Sequence, residues 1–112
     1  MYVKKNIIKK VIELFTNKPE CRDDRWETIK LVTESIRGEH PEFTEWSMIQ
    51  LAFDVDRAFR YVQQHIPSLR GKSWLERQLM SGELSKEEYE RHMEHYNYMK
   101  EISNESYQGK LF

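Results

Sequence analysis

Residues 54–72 read DVDRAFRYVQQHIPSLRGK. Val55, Ala58, Phe59, Val62 and Ile66 recur at the intervals that bring side chains to one side of an α-helix, so the stretch offers a continuous apolar face to a core. Arg57, Arg60 and Gln64 fall on the other side, with Gln63 beside them. Pro67 closes the helix, and Arg70 and Lys72 follow on a turn at Gly71. A helix of this kind, apolar inward and cationic outward, makes the chain all-α, and the flanking segments follow the same period.

Immediately upstream, Thr44, Glu45 and Trp46 can start a helix that carries Met48, Ile49 and Leu51. No Gly or Pro lies between Pro41 and Pro67, which permits one rod over residues 44–66 of about 35 Å. Asp54, however, is a good N-cap, and a break near Phe53 would turn the pair into a helix-turn-helix. The sequence favours the break.

Further out, Val3, Ile7, Val11, Leu14 and Phe15 predict an amphipathic first helix from Tyr2 to Phe15, with Ile8 and Ile12 widening its apolar stripe and Lys4, Lys5, Lys9 and Lys10 on the remainder. Asn17, Lys18 and Pro19 end it. Asp23 and Asp24 then stand where a second helix would take a cap and negative charge, with Trp26, Ile29, Val32 and Ile36 as its buried line and Gly38 and Pro41 as its stop. Ser73, Trp74, Leu75 and Leu79 predict a short helix or anchored loop, followed by a turn at Ser81 and Gly82. Ser85 with Glu88 is a capping box that opens a last helix from Lys86 to about Ile102, packed through Leu84, Tyr89, Met93 and Tyr96. The expected fold is a small all-α bundle of four to five helices with a helix-turn-helix-like centre: one domain over residues 1–102 and a flexible tail over 103–112.

Composition narrows the class. A 38% hydrophobic fraction with three Trp, six Tyr and five Phe among 112 residues argues against disorder. Cys21 is the sole cysteine, so no intrachain disulfide forms and a reducing, cytoplasmic setting is expected. Lysines interrupt the N-terminal apolar residues, and no apolar run approaches 18 residues, so neither a signal peptide nor a membrane span is expected. The net charge of −1 hides a dipolar chain: residues 1–18 carry +4, 19–45 carry −4, 54–77 carry +2 and 83–105 carry −4. Any pull on an anionic partner must come from local patches.

Chemistry for catalysis is weak. Glu88, His92 and His95 share a helix face, yet no second motif completes a metal site. Cys21 has no recognisable base partner. Asp23 with Asp24 and Asp54 with Asp56 are explained as helix starts, and the four glycines form no phosphate loop. No enzyme activity and no cofactor are expected. Trp26, Trp46 and Trp74 are expected in the core.

Several of these residues together resemble a family of small proteins from bacteriophages and related mobile elements. Its pattern has a Pro followed by Arg-Asp and, later, an Arg-Ala-Arg-Arg-Lys-aliphatic-Gln helix followed by Pro-x-Leu-Arg-Gly. Here the matching residues are Pro19, Arg22, Asp23 and Asp24, then Arg57, Ala58, Arg60, Val62 and Gln63, then Pro67, Leu69, Arg70 and Gly71. The resemblance implies a compact helical or winged-helix-like domain in which the arginine-bearing helix reads DNA. Phe59 and Tyr61 stand where the pattern has Arg and Lys; two fewer phosphate contacts would lower the salt dependence of binding by about 1.8 log units per log unit of salt.

Two functions follow as expectations. The first is a non-enzymatic DNA-binding accessory or regulatory protein, with Arg57, Arg60, Gln63 and Gln64 on the recognition surface and Arg70 and Lys72 on the backbone of double-stranded DNA. The second is a protein-interaction module whose acidic, tyrosine-rich last helix binds a host or phage protein. A dimer is compatible with both. Tyr89, Tyr96 and Tyr98 exposed in one patch would favour the second, and arginines clear of any carboxylate the first.

Overall fold

The apolar periods resolve into five helices in the computed structural model, which describes the backbone of residues 2–42 and 45–110 and the side chains of 5–42 and 47–103. They are α1 (Tyr2–Asn17), α2 (Arg25–Glu39), α3 (Glu45–His65), α4 (Lys72–Ser81) and α5 (Lys86–Lys110), with 3-10 turns at Pro19–Asp23 and Pro67–Leu69. No strand occurs among the described residues. Phe43 and Thr44, the expected start of the third helix, lie outside them, as do Leu111 and Phe112.

α1, α2 and α3 enclose the core. Ile7, Val11 and Phe15 of α1, Val32 and Ile36 of α2, and Leu51, Val55, Ala58 and Val62 of α3 are buried together, with Cys21 and Leu69 closing one end. The inner face of α3 is the one its period predicts. Phe59 packs half-buried at its edge and meets the Phe15 ring edge-on, with centroids 5.6 Å apart, a favourable aromatic geometry.

α3 does not break at Phe53. It runs unbroken from Glu45 to His65, about 31 Å at 1.5 Å per residue, so the helix-turn-helix centre is replaced by one rod. The cause is burial on both sides of the expected break: Leu51 and Val55 enter the same core, and a turn between them would remove one of the two from it. Asp54 keeps a mid-helix position instead of a cap.

Trp26 also departs from expectation. It is 70% exposed, and the Arg25 guanidinium lies 4.7 Å from its ring centroid. Thr28, Val32 and Ile36, four residues apart, form the buried line of α2, and Trp26 lies about 120° around the helix from Val32. Trp74 is half-buried under the Arg77 guanidinium; the Trp46 side chain lies outside the described residues.

α4 and α5 form a hairpin. Gly82, at φ 84°, supplies the left-handed cap that ends α4, and the Ser85–Glu88 box opens α5 with both of its reciprocal bonds at 3.1 Å. α5 docks through buried Tyr96 and half-buried Tyr89 and Met93. Its helix continues to Lys110, past Ser103, where the sequence predicts a flexible tail. The whole measures 48 × 39 × 20 Å, about two helix diameters thick, so each helix keeps one outward side.

Candidate functional site

The segments that carry Arg22, Asp23, Gln63, Arg70 and Gly71 converge where α1, α3, α4 and α5 meet. Arg22, 2% exposed, donates from Nε and Nη2 to the Phe15 carbonyl at 3.0 and 2.8 Å, and from Nη1 to the carbonyls of Ser68 and Arg70 at 3.4 Å. Phe15 lies in the last turn of α1, where unpaired carbonyls and the negative end of the helix dipole await a cation. Burial lowers the Arg22 pKa, partly offset by the nearby Tyr96 and by the Asp23 and Glu20 carboxylates. The Tyr96 ring lies 5.6 Å from the guanidinium.

Gln63 completes the junction. It is 1% exposed, donates to the Arg22 carbonyl at 2.9 Å and accepts from the Gly71 N–H at 2.8 Å. Asp23 accepts the N–H groups of Lys72 and Ser73 at 3.1 and 2.7 Å and the Tyr96 hydroxyl at 2.9 Å. It therefore caps α4, whose own N-cap residue, Gly71, has no side chain for the task. Asp24 caps α2 through the Glu27 N–H at 3.1 Å.

This junction removes two residues from the expected recognition surface. Gln63 is buried with both ends of its amide occupied. Arg70 is half-buried and donates to the carbonyls of Gln63 and Gln64 at 2.7 and 3.0 Å and to Gln78 Oε1 at 3.2 Å, which closes the C-terminus of α3. Sequence reasoning missed both because a Gln beside an arginine face looks solvent-facing. The available signal was that Gln63 follows Val62 at the margin of the apolar stripe.

Arg57, Arg60, Gln64 and Lys72 are exposed. Among the described residues no carboxylate pairs with Arg57 or Arg60; Asp56 instead pairs with Arg25 at 3.3 Å, with the Nε–H directed off the carboxylate. Along the outer face of α3 the order is Ile49, Phe53, Arg57, Arg60 and Gln64, one continuous stripe at helical spacing. Phe53 is 61% and Ile49 50% exposed. The stripe is thus apolar in its first half and cationic in its second, with the exposed Tyr61 ring tilted at 45° against His65 along one flank. Beside it, Ile7, Ile8, Asp54, Arg57, Ala58 and Tyr61 line an open notch of about 170 Å³, below the usual range for small-molecule sites.

Other candidate chemistry does not assemble. Burial pushes the Cys21 thiol up to about 11, so it stays protonated and unreactive at neutral pH. Glu88 is held in its capping box, and among the described residues no three His, Cys, Asp or Glu side chains gather as metal ligands. No helix of the described residues is long and apolar enough to cross a membrane. Of the three tyrosines expected on the last helix, Tyr96 is buried, Tyr89 half-buried and Tyr98 exposed, so they form no single patch.

Comparison with family models, with curated proteins and with solved structures gave no match for this chain.

Proposed function

We propose that the chain is a non-enzymatic interaction module that docks a protein on the outer stripe of α3. The observation that carries this reading is Phe53, exposed on a regular helix with Ile49 one turn before it and two unpaired arginines after it. Large apolar side chains next to Arg are the composition of interface hot spots. A photo-crosslinking phenylalanine analogue tests it. Installed at position 53, it should trap protein adducts in cells that express the chain; at exposed Lys30 on α2 it should not. Equal yields at the two positions would overturn the reading.

Duplex DNA is the second reading, favoured by the freedom of Arg57 and Arg60 from carboxylates. With Gln63 and Arg70 committed to the fold, three cations remain: Arg57, Arg60 and Lys72. Three phosphate contacts correspond to about 2.7 log units of affinity per log unit of salt, which is weak binding, and they leave the exposed Ile49 and Phe53 without a role. Fluorescence anisotropy with mixed-sequence duplex at two salt concentrations decides it: salt-sensitive binding abolished in Arg57→Ala/Arg60→Ala supports DNA, and binding indifferent to that substitution excludes it.

A further inference from the structure

We propose that the open cleft between α5 and the turn at Pro67–Leu69 binds a phosphoryl group, free or on a small molecule, through Arg91, His92, His95 and Ser68. Pro67 and Ser68 form one wall and Glu88, Arg91, His92 and His95 the other, around about 490 Å³, a volume in the usual range for small-molecule sites. The four α5 residues recur at intervals of three and four, so they share one side of the helix, on the flank of the Tyr89–Met93–Tyr96 line that docks it. Both walls are tied to adjacent residues of the junction: Arg22 donates to the Ser68 carbonyl at 3.4 Å, and Asp23 accepts the Tyr96 hydroxyl at 2.9 Å. The fold thus sets the separation of the walls before any ligand arrives, which lowers the cost of binding one.

The donors of the cleft are unspent. Arg91 and His95 are exposed and His92 is half-buried, and among the described residues none of the three, nor the Ser68 hydroxyl, makes a hydrogen bond or ion pair. Glu88 is the one carboxylate in the lining, and it is already occupied. It accepts the Ser85 N–H at 3.1 Å, and its bonds to Ser85, with Arg91 and His92 nearby, hold it below the usual carboxylate range. Glu87 and Glu94 lie further round the helix and do not line the cleft. Arg91 disfavours a metal cation, and among the described residues no three ligating side chains gather to hold one. A guanidinium fork and two imidazoles on one wall, with a hydroxyl on the other, offer more donors than the two oxygens of a carboxylate can use; they suit the three terminal oxygens of a phosphoryl group.

Titration of the isotope-labelled protein with inorganic phosphate and with phenyl phosphate, at fixed pH and ionic strength, tests the site through the histidine ring resonances. Those of His92 and His95 should shift together and saturate, while those of His40 stay fixed. Tighter binding of phenyl phosphate would assign the site to phosphate monoesters, and equal or weaker binding would assign it to the free anion. Arg91→Gln should weaken binding about tenfold or more, through the loss of charge-assisted hydrogen bonds. Arg37→Gln, at an exposed arginine on α2, should leave it unchanged. Circular dichroism checks that both variants are folded. Shifts that do not saturate in the millimolar range, shifts shared with His40, or wild-type affinity in Arg91→Gln would each overturn the proposal.

Discussion

The Asp23 carboxylate accepts the backbone N–H of Ser73 at 2.7 Å, 50 residues along the chain. With the Lys72 N–H and the Tyr96 hydroxyl on the same carboxylate, one side chain ties the turn after α1 to both helices of the α4–α5 hairpin. Its neighbour Asp24 caps only its own helix.

The two aspartates should therefore differ in weight. Asp24→Ala removes one N-cap and should cost about 1 kcal/mol. Asp23→Ala unpairs three donors, two on α4 and one on α5, and should cost about 2–4 kcal/mol. Urea unfolding midpoints separate the two, and equal losses would contradict the tethering role of Asp23.

Glycine positions give a second contrast. A Cβ at Gly71 would stand 2.8 Å from the Arg22 carbonyl oxygen and 2.6 Å from Asp23 Oδ1, so Gly71→Ala should destabilise by about 1–3 kcal/mol as the junction shifts. Gly38 is exposed on α2 with nothing within 4 Å of its would-be Cβ, and Gly38→Ala should stabilise by about 0.5–1 kcal/mol. Thermal unfolding should move in opposite directions.

Alkali should loosen the same junction. Burial, with the hydrogen bond to Asp23, pushes the Tyr96 phenol well above its ordinary 10. The unfolded chain then loses this proton first, so the contribution is whole below about pH 10 and falls as pH rises beyond it. Cys21, raised from 9 to about 11, adds a loss of the same sign from about pH 9 upward. Tyr96→Phe should flatten the decline above pH 10 while costing about 1–2 kcal/mol at pH 7. Unfolding midpoints between pH 7 and 11 check both.

Junction and stripe should respond separately to substitution. Gln63→Ala leaves the Arg22 carbonyl and the Gly71 N–H buried and unpaired, about 2–4 kcal/mol in stability. Arg57→Ala/Arg60→Ala should leave the unfolding midpoint within about 0.5 kcal/mol and act on docking alone. Paired unfolding and position-53 cross-linking measurements distinguish them.

How much of this was legible in the residues depends on how local the cause is. The inner face of α3 and the Ser85–Glu88 box follow from spacing within one element, and both are where the sequence predicts. The unbroken course of α3 was hidden because Asp54 fits both a cap and a mid-helix position; only the joint burial of Leu51 and Val55 decides between them. Gln63 and Arg70 were hidden because their partners are non-local; Tyr96 is buried on the line the sequence predicts, but its bond to Asp23 was hidden too. Their partners lie in other elements, and a side chain that is polar by type says nothing of a carbonyl brought to it by folding. Among the residues that carry the resemblance, Arg22, Asp23, Gln63, Arg70 and Gly71 hold elements together at the junction, while Arg57 and Arg60 stay exposed.

The central claim is that the α3 stripe docks a protein while the junction serves the fold, and cross-linking from position 53, with and without Arg57→Glu/Arg60→Glu, tests it most directly. Protein adducts should form in the otherwise wild-type chain and be lost on charge reversal, with the unfolding midpoint unchanged. Equal adduct yields with and without the charge reversal would contradict it.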